Sequence, residues 1–134
     1  YIVTWVFGHL FSLVDIESYT GATDSKWTFE NLPCFPEKFQ FELRREGDKV
    51  DAGVKAQFHI IETLCNREDV DTVVNAGDAD REGEIIIRLI IAHAMKTPKR
   101  QLRNCGERLR QSWQSELRRN PKTAICSSSV SCCT

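Results

Sequence analysis

Hydrophobic and polar positions in the first fifty residues alternate with the period of β-strands. The opening run YIVTWVF is β-branched and aromatic and stops at Gly8, which predicts a strand that leads into a loop. Phe39, Phe41 and Leu43 alternate with polar residues, the period of a half-buried strand, and the sequence EGDK after them indicates a turn. Two strands are therefore expected here, joined by a polar connection over residues 15–37.

The next fifty residues predict a helix, a central strand and a second helix. Val54, Phe58, Ile61 and Cys65 recur at helical spacing within AGVKAQFHIIETLCN. The run VDTVVNAG is short, β-branched and ended by a glycine, as in a buried strand, and the longer run REGEIIIRLIIAHAMK predicts the helix after it. Helix, strand, loop and helix in this order are typical of an α/β fold with a mainly parallel sheet.

Composition indicates one soluble globular domain. The chain has 134 residues, of which 41% are hydrophobic and 28% charged, as in ordinary soluble proteins. Its longest apolar runs are broken by charge, as Arg88 breaks EIIIRLIIAHAM, so no membrane span is expected. The start has no basic region and no cleavage site of a signal peptide, which predicts a cytoplasmic protein. Because the first residue is Tyr, the true start is expected upstream.

Charge divides the chain into two parts. Residues 1–98 carry ten Lys and Arg against seventeen Asp and Glu, whereas residues 99–134 carry eight against two. The second part also holds four of the six cysteines, whose spacing matches no zinc site, and a serine-rich end. We predict a domain over residues 1–98 and an atypical basic, Cys/Ser-rich tail over residues 99–134. The tail shows no strand-like run and is expected to be disordered or weakly helical.

The candidate functional residues lie in the stretch VVNAGDADREGEIII, residues 73–87. Four carboxylates, those of Asp78, Asp80, Glu82 and Glu84, fall between two apolar runs. Packed carboxylates repel one another by about 4 kcal/mol for a pair 4 Å apart at an effective dielectric near 20, so a positive group is expected among them. Loops that leave the carboxyl ends of parallel strands bind ligands, and carboxylate oxygens suit Mg²⁺. Asp78, Asp80 and Glu82 are therefore candidate ligands of one Mg²⁺ ion.

Two other interpretations of these acids exist. Acids in the first turn of a helix gain about 0.3–1 kcal/mol each from its dipole, which could account for one or two of them. Repulsion predicts that Asp80→Asn stabilises the metal-free protein by about 1 kcal/mol, whereas a capping role predicts a loss. The sequence DADREG also matches part of an EF-hand loop, but the twelfth position is Leu89 instead of Glu, which argues against a calcium loop.

The sequence NAGDADREGE resembles the acidic motif of the TOPRIM domain as it occurs in type IA DNA topoisomerases, most closely in the topoisomerase III subgroup. The resemblance extends upstream in collinear order through IVTWVFGHL, Tyr19, Trp27, LPCFPEKF and the pair Lys55 and Gln57, so it covers about residues 1–98. It implies a Rossmann-like TOPRIM sheet. In that family the domain opens with a strand that carries a further glutamate of the acidic site, and the resemblance implies that this sequence begins after that strand.

The resemblance also implies a role for each residue of the motif. Asp78, Asp80 and Glu82 match acidic positions that are both catalytic and Mg²⁺-binding, and Arg81 is the expected partner of a DNA phosphate. His9, in the triplet GHL, is a second candidate DNA contact, although a loop histidine is more often a structural hydrogen-bonding group. The partner implied is DNA, bound through its phosphate backbone. The reaction implied is Mg²⁺-dependent, ATP-independent passage of single DNA strands.

The chain departs from the family in lacking the later domain that carries the nucleophilic tyrosine. Tyr1 and Tyr19 are its only tyrosines, and both lie in the early segment. A fragment that is inactive alone is therefore expected. A second possibility is a non-catalytic DNA-binding remnant that acts through its basic tail. A third is another TOPRIM protein, a primase or an OLD-type nuclease, but the matched flanking segments argue against it.

Overall fold

A computed structural model describes residues 1–21, 29, 32–47, 49–78, 80–103 and, as backbone only, 123–127. Its main sheet contains strands β1 (Ile2–Trp5), β6 (Thr72–Asn75), β7 (Arg100–Arg103) and β8 (Thr123–Ser127). The strand order is β1-β8-β6-β7, and each neighbouring pair is parallel. The parallel α/β fold predicted from the sequence is therefore confirmed, with β6 as a central strand whose four residues are all buried.

Two small antiparallel sheets occupy the segment between β1 and the first long helix. Strand β2 (Phe11–Leu13) pairs with β3 (Phe41–Leu43), and β4 (Arg45–Glu46) pairs with β5 (Lys49–Val50). A short helix, α1 (Glu17–Thr20), follows β2. Residues 8 and 47 are glycines with φ near +65°, which places the predicted turns after β1 and inside EGDK.

Two helices of fourteen residues pack together and form the core with the sheet. They are α2 (Ala52–Cys65) and α3 (Arg81–Ala94), both close to their predicted positions. Their apolar faces supply most of the fully buried side chains, among them Val54, Ile61, Ile87 and Ile90. Among the described residues, neither helix is long and apolar enough to cross a membrane.

A charged carboxylate, that of Asp51, stabilises the N-terminus of α2. Asp51 is the N-cap, and its Oδ1 accepts hydrogen bonds from Gly53 N at 2.8 Å and Val54 N at 3.2 Å. Its Oδ2 pairs with Arg44 at 3.0 Å. The Arg44 hydrogen bond, together with these backbone donors, lowers the pKa of Asp51 below its usual value. The carboxylate therefore remains charged and caps the helix at neutral pH.

The segment after residue 98 differs from its prediction. We expected no strand there, but the main sheet includes β7 and β8, and β8 lies between β1 and β6. Sequence reasoning missed β7 because the exposed side chains of Arg100 and Gln101 give it no apolar alternation. The backbone bonds to β6 that hold these strands need no particular side chain. Residues 104–122 of the tail, which was expected to be disordered or weakly helical, lie outside the described residues. The division at residue 98 stays a prediction, although the sheet extends across it.

Candidate active site

The acidic loop leaves the carboxyl end of β6, as the sequence predicted. Asn75 is the last residue of the strand, and its side-chain Oδ1 accepts a hydrogen bond from Gly77 N at 3.0 Å. This bond turns the chain sharply away from the sheet. A Cβ on Gly77 would lie 2.7 Å from Ile87 Cγ1, so the loop runs directly over the core. Asp78 follows with an exposed position, at the edge where parallel sheets bind ligands.

The first turn of α3 packs against the backbone of this loop. Gly83 is buried, and a Cβ built on it would lie 2.8 Å from the carbonyl oxygen of Asp78 and 3.0 Å from its nitrogen. Any larger residue would push the loop and the helix apart. The glycine at this position is therefore required by packing against Asp78, not by backbone conformation.

Asp80 is the N-cap of α3. Its backbone is extended, with φ −120° and ψ 175°, and its Oδ1 accepts a hydrogen bond of 2.6 Å from Gly83 N. Asp80 therefore caps the helix, as one of the interpretations of these acids predicted. In the part of the chain that the structure describes, this is the only side-chain bond of Asp80, which leaves its second oxygen available to a ligand.

This geometry gives a prediction for Asp80. Asp80→Ala removes the cap and should lower the free energy of unfolding by about 0.5–2 kcal/mol, whereas Asp80→Asn retains a capping oxygen and should cost less. Any relief of repulsion in Asp80→Asn would reduce its cost further. Urea unfolding of the three proteins in EDTA measures both changes. The capping role is contradicted if Asp80→Ala is as stable as the parent.

Glu82 and Arg81 occupy the exposed side of the same helical turn. His9 Nε2 lies 3.0 Å from Glu82 Oε1, so the loop after β1 contacts the acidic motif across 73 residues of sequence. This hydrogen bond fits the expectation that His9 is a structural group. Arg81 is exposed and forms no ion pair with any described residue, so its guanidinium is accessible to a ligand. The assigned roles of these residues stay predictions.

Glu84 faces the opposite side and is held by two arginines. Its Oε1 lies 3.0 Å from Arg88 Nε, one helical turn away, and its Oε2 lies 2.5 Å from Arg103 Nε. The positive group expected among the acids is therefore supplied, in part, by the chain itself. Sequence reasoning missed Arg103 because it placed that residue in a tail. The signal that could have found it is the parallel register, in which Arg103 is paired with Asn75.

The carboxylates of the acidic loop suit Mg²⁺ only if water supplies most of the ligands of the ion. Among the described residues, no three His, Cys, Asp or Glu side chains lie close enough together to hold a metal ion. The predicted convergence of Asp78, Asp80 and Glu82 is not seen there, since Asp80 caps α3 and Glu82 contacts His9. Mg²⁺, however, is commonly held by one or two carboxylates and several waters. Asp78 and Asp80, which flank the loop on its exposed side, fit that mode.

With this fold and this acidic loop, the chain belongs to the Toprim domain family, which matches residues 1–110. Among similar proteins, the DNA topoisomerase 3 of Shouchella clausii (strain KSM-K16) is 39% identical over 102 residues, or 75% of this chain and 13% of the relative. The DNA topoisomerase 3 of Bacillus subtilis (strain 168) is 39% identical over 94 residues, which are 70% of this chain and 12% of the relative. That of Bacillus anthracis is 40% identical over 91 residues, which are 68% of this chain and 11% of the relative. The chain thus spans about an eighth of these relatives, and no solved structure matches it.

Proposed function

We propose that this Toprim domain supplies the Mg²⁺-binding acidic loop of a type IA, topoisomerase III-like enzyme that passes single DNA strands without ATP. The observation that carries the proposal is the placement of Asp78 and Asp80 on the exposed loop at the end of β6. The names of the relatives, which are all DNA topoisomerase 3, support the reaction class. The proposed partner is DNA, contacted through its phosphate backbone, and the proposed location is the cytoplasm.

Each residue of the loop has a distinct task in this proposal. Asp78 and the second oxygen of Asp80 would hold the ion, while the first oxygen of Asp80 fixes the start of α3. When bound, Mg²⁺ neutralises and orients a DNA phosphate. Glu82, positioned by His9, adds negative charge beside the ion, and the exposed Arg81 binds a phosphate oxygen. His9, whose side chain is 46% exposed, is the second proposed contact to the DNA backbone.

Covalent strand cleavage in this proposal needs a tyrosine from outside the chain. Tyr19 is engaged structurally, because its hydroxyl accepts a hydrogen bond of 2.7 Å from Gln40 N. Tyr1 lies beside β1 and outside the acidic loop. A phosphotyrosine link to DNA formed by this chain alone would therefore contradict the proposal.

A titration with Mg²⁺ tests the proposal directly. We expect the amide NMR signals of Gly77, Asp78 and residues 80–84 to shift first, because these amides surround the carboxylates that take the ion. Asp78→Asn should raise the Mg²⁺ concentration at the midpoint of this titration at least tenfold, because an amide oxygen carries no net charge.

The matched control for this titration is Asp69→Asn, which changes an exposed aspartate paired with Arg67. It should leave the Mg²⁺ response of the loop unchanged. Shifts that begin outside the loop, or an equal loss in both variants, would refute the site.

The charge asymmetry supports a second candidate, a DNA-binding protein without catalytic function. The part of the chain from residue 99 onward is strongly basic, and such charge attracts nucleic acid without sequence specificity. Deleting the whole segment would also remove β7 and β8, so charge neutralisation is the better test. DNA binding that survives Arg81→Gln but is abolished by Gln at positions 108, 110, 118, 119 and 122 would favour this candidate.

A further inference from the structure

Arg103 occupies a position that links three elements around the acidic loop. It is the last residue of β7, and its Cα is paired in parallel register with Asn75, the last residue of β6. Its side chain is 25% exposed, in contrast to 77% for Arg88. The guanidinium group therefore lies under the loop, not in open solvent.

The contacts of this guanidinium run along the loop backbone. Nη1 donates to Asn75 Oδ1 and to Gly77 O, both at 3.1 Å, and Nη2 donates to Asp78 O at 3.0 Å. Nε completes the set by pairing with Glu84 on α3. Hydrogen bonds from a charged guanidinium are stronger than those from a neutral donor, and its planar fork aims several of them at once.

The carbonyl of Gly77 needs such a donor. Beyond Asn75 the strand has ended, so this carbonyl has lost its place in the sheet ladder, and Gly77 is buried, where a carbonyl without a partner is costly. Holding the carbonyl of Asp78 also fixes its peptide plane, and with it the direction in which the Asp78 side chain leaves the loop. Arg103 thus orients a candidate ligand without touching the ion.

We propose that Arg103 is a positioning residue, which holds the acidic loop in the conformation that presents Asp78 and Asp80 to Mg²⁺. This inference rests on the proposed function. The competing explanation is that Arg103 is only a counter-ion for the acids. The two explanations predict opposite changes in Mg²⁺ affinity when Arg103 is replaced. A counter-ion competes with Mg²⁺, so its loss would tighten Mg²⁺ binding, whereas loss of a positioning residue weakens it.

The experiment compares Arg103→Lys and Arg103→Ala with the control Arg88→Lys, which alters the other arginine on Glu84. Positioning predicts that Arg103→Lys weakens Mg²⁺ binding about tenfold although it keeps the charge, and that Arg103→Ala weakens it at least as much. Arg88→Lys should change it less than twofold. Unchanged binding in Arg103→Lys with tighter binding in Arg103→Ala would overturn the inference.

A second measurement, made in EDTA, does not depend on Mg²⁺. Backbone ¹⁵N relaxation should show Gly77 and Asp78 becoming mobile in Arg103→Lys while the amides of α2 keep their order. If the parent binds no Mg²⁺ but this local change is present, the proposed function fails and the positioning role stands. If the loop keeps its order in Arg103→Lys, the positioning role fails.

A third measurement, on the parent protein, covers the case in which the variants do not fold. The guanidinium of Arg103 should give separate signals for its two Nη groups, because three oxygens restrict its rotation, whereas exposed Arg88 should give an averaged signal. If the guanidinium groups of Arg103 and Arg88 rotate equally fast, the positioning role is refuted.

Discussion

Gly83→Ala should lower the free energy of unfolding by about 1–3 kcal/mol, the usual cost of forcing extra atoms into a packed site. An added Cβ would lie 2.8 Å from the carbonyl oxygen of Asp78 and 3.0 Å from its nitrogen, and both atoms are backbone. They cannot rotate away as a side chain would, so the loop and α3 must separate. The result is unusual, because Gly→Ala inside a helix normally stabilises by about 0.5–1 kcal/mol.

Gly53→Ala is the matched control, because Gly53 lies in the first turn of α2 as Gly83 lies in that of α3. Its Cβ would meet only side-chain atoms, Asp51 Oδ1 at 3.3 Å and Phe7 Cζ at 3.9 Å. That variant should be as stable as the parent or slightly more stable. Urea unfolding measures both, and equal effects of the two substitutions would contradict the close packing of Gly83 on the loop.

Ile87→Ala should cost about 2–5 kcal/mol, the range for removing a fully buried isoleucine side chain. Ile87 has no exposed surface, and it packs beneath Gly77, where the acidic loop crosses the core. The substitution leaves a cavity there, because the sheet and α2 can relax only partly into the space. A loss of this size is a large part of the stability of a small domain and should be plain in urea or thermal unfolding.

Ile85→Ala is the control on the same helix. Ile85 is 49% exposed, so little apolar surface is lost, and alanine has the higher helix propensity. Its stability should differ from that of the parent by less than about 1 kcal/mol. If Ile85→Ala and Ile87→Ala are equally destabilising, the burial pattern of α3 is wrong.

The sequence was sufficient to predict the elements that build the candidate site. The period of the apolar residues in α2 and α3 comes from helix geometry, and the β-branched run of β6 suits a strand buried on both faces. The location of Asp78 and Asp80 follows from these elements, because a loop after a parallel strand must lie at its carboxyl end. These inferences need only neighbours along the chain.

The partners that reach the acidic loop from distant parts of the chain could not be predicted in the same way. His9 is 73 residues from Glu82, and Arg103 is 25 residues from Asp78 and reaches it only through the pairing of β7 with β6. Strand β7 itself was missed, because an exposed edge strand needs no hydrophobic alternation. The sequence correctly called for a positive group beside the acids, but it could not say that an arginine of the same chain supplies part of that charge.

The sequence by itself thus determined the parallel α/β class, the central strand and the acidic loop, because local periodicity and turn chemistry are properties of adjacent residues. The tertiary structure alone decided which distant groups meet the acidic loop: Glu82 contacts His9, and Arg103 pairs with Glu84 and binds the carbonyl of Asp78. Those assignments depend on strand register and helix packing. Register and packing bring distant residues together through backbone bonds and core contacts that no short stretch of sequence records.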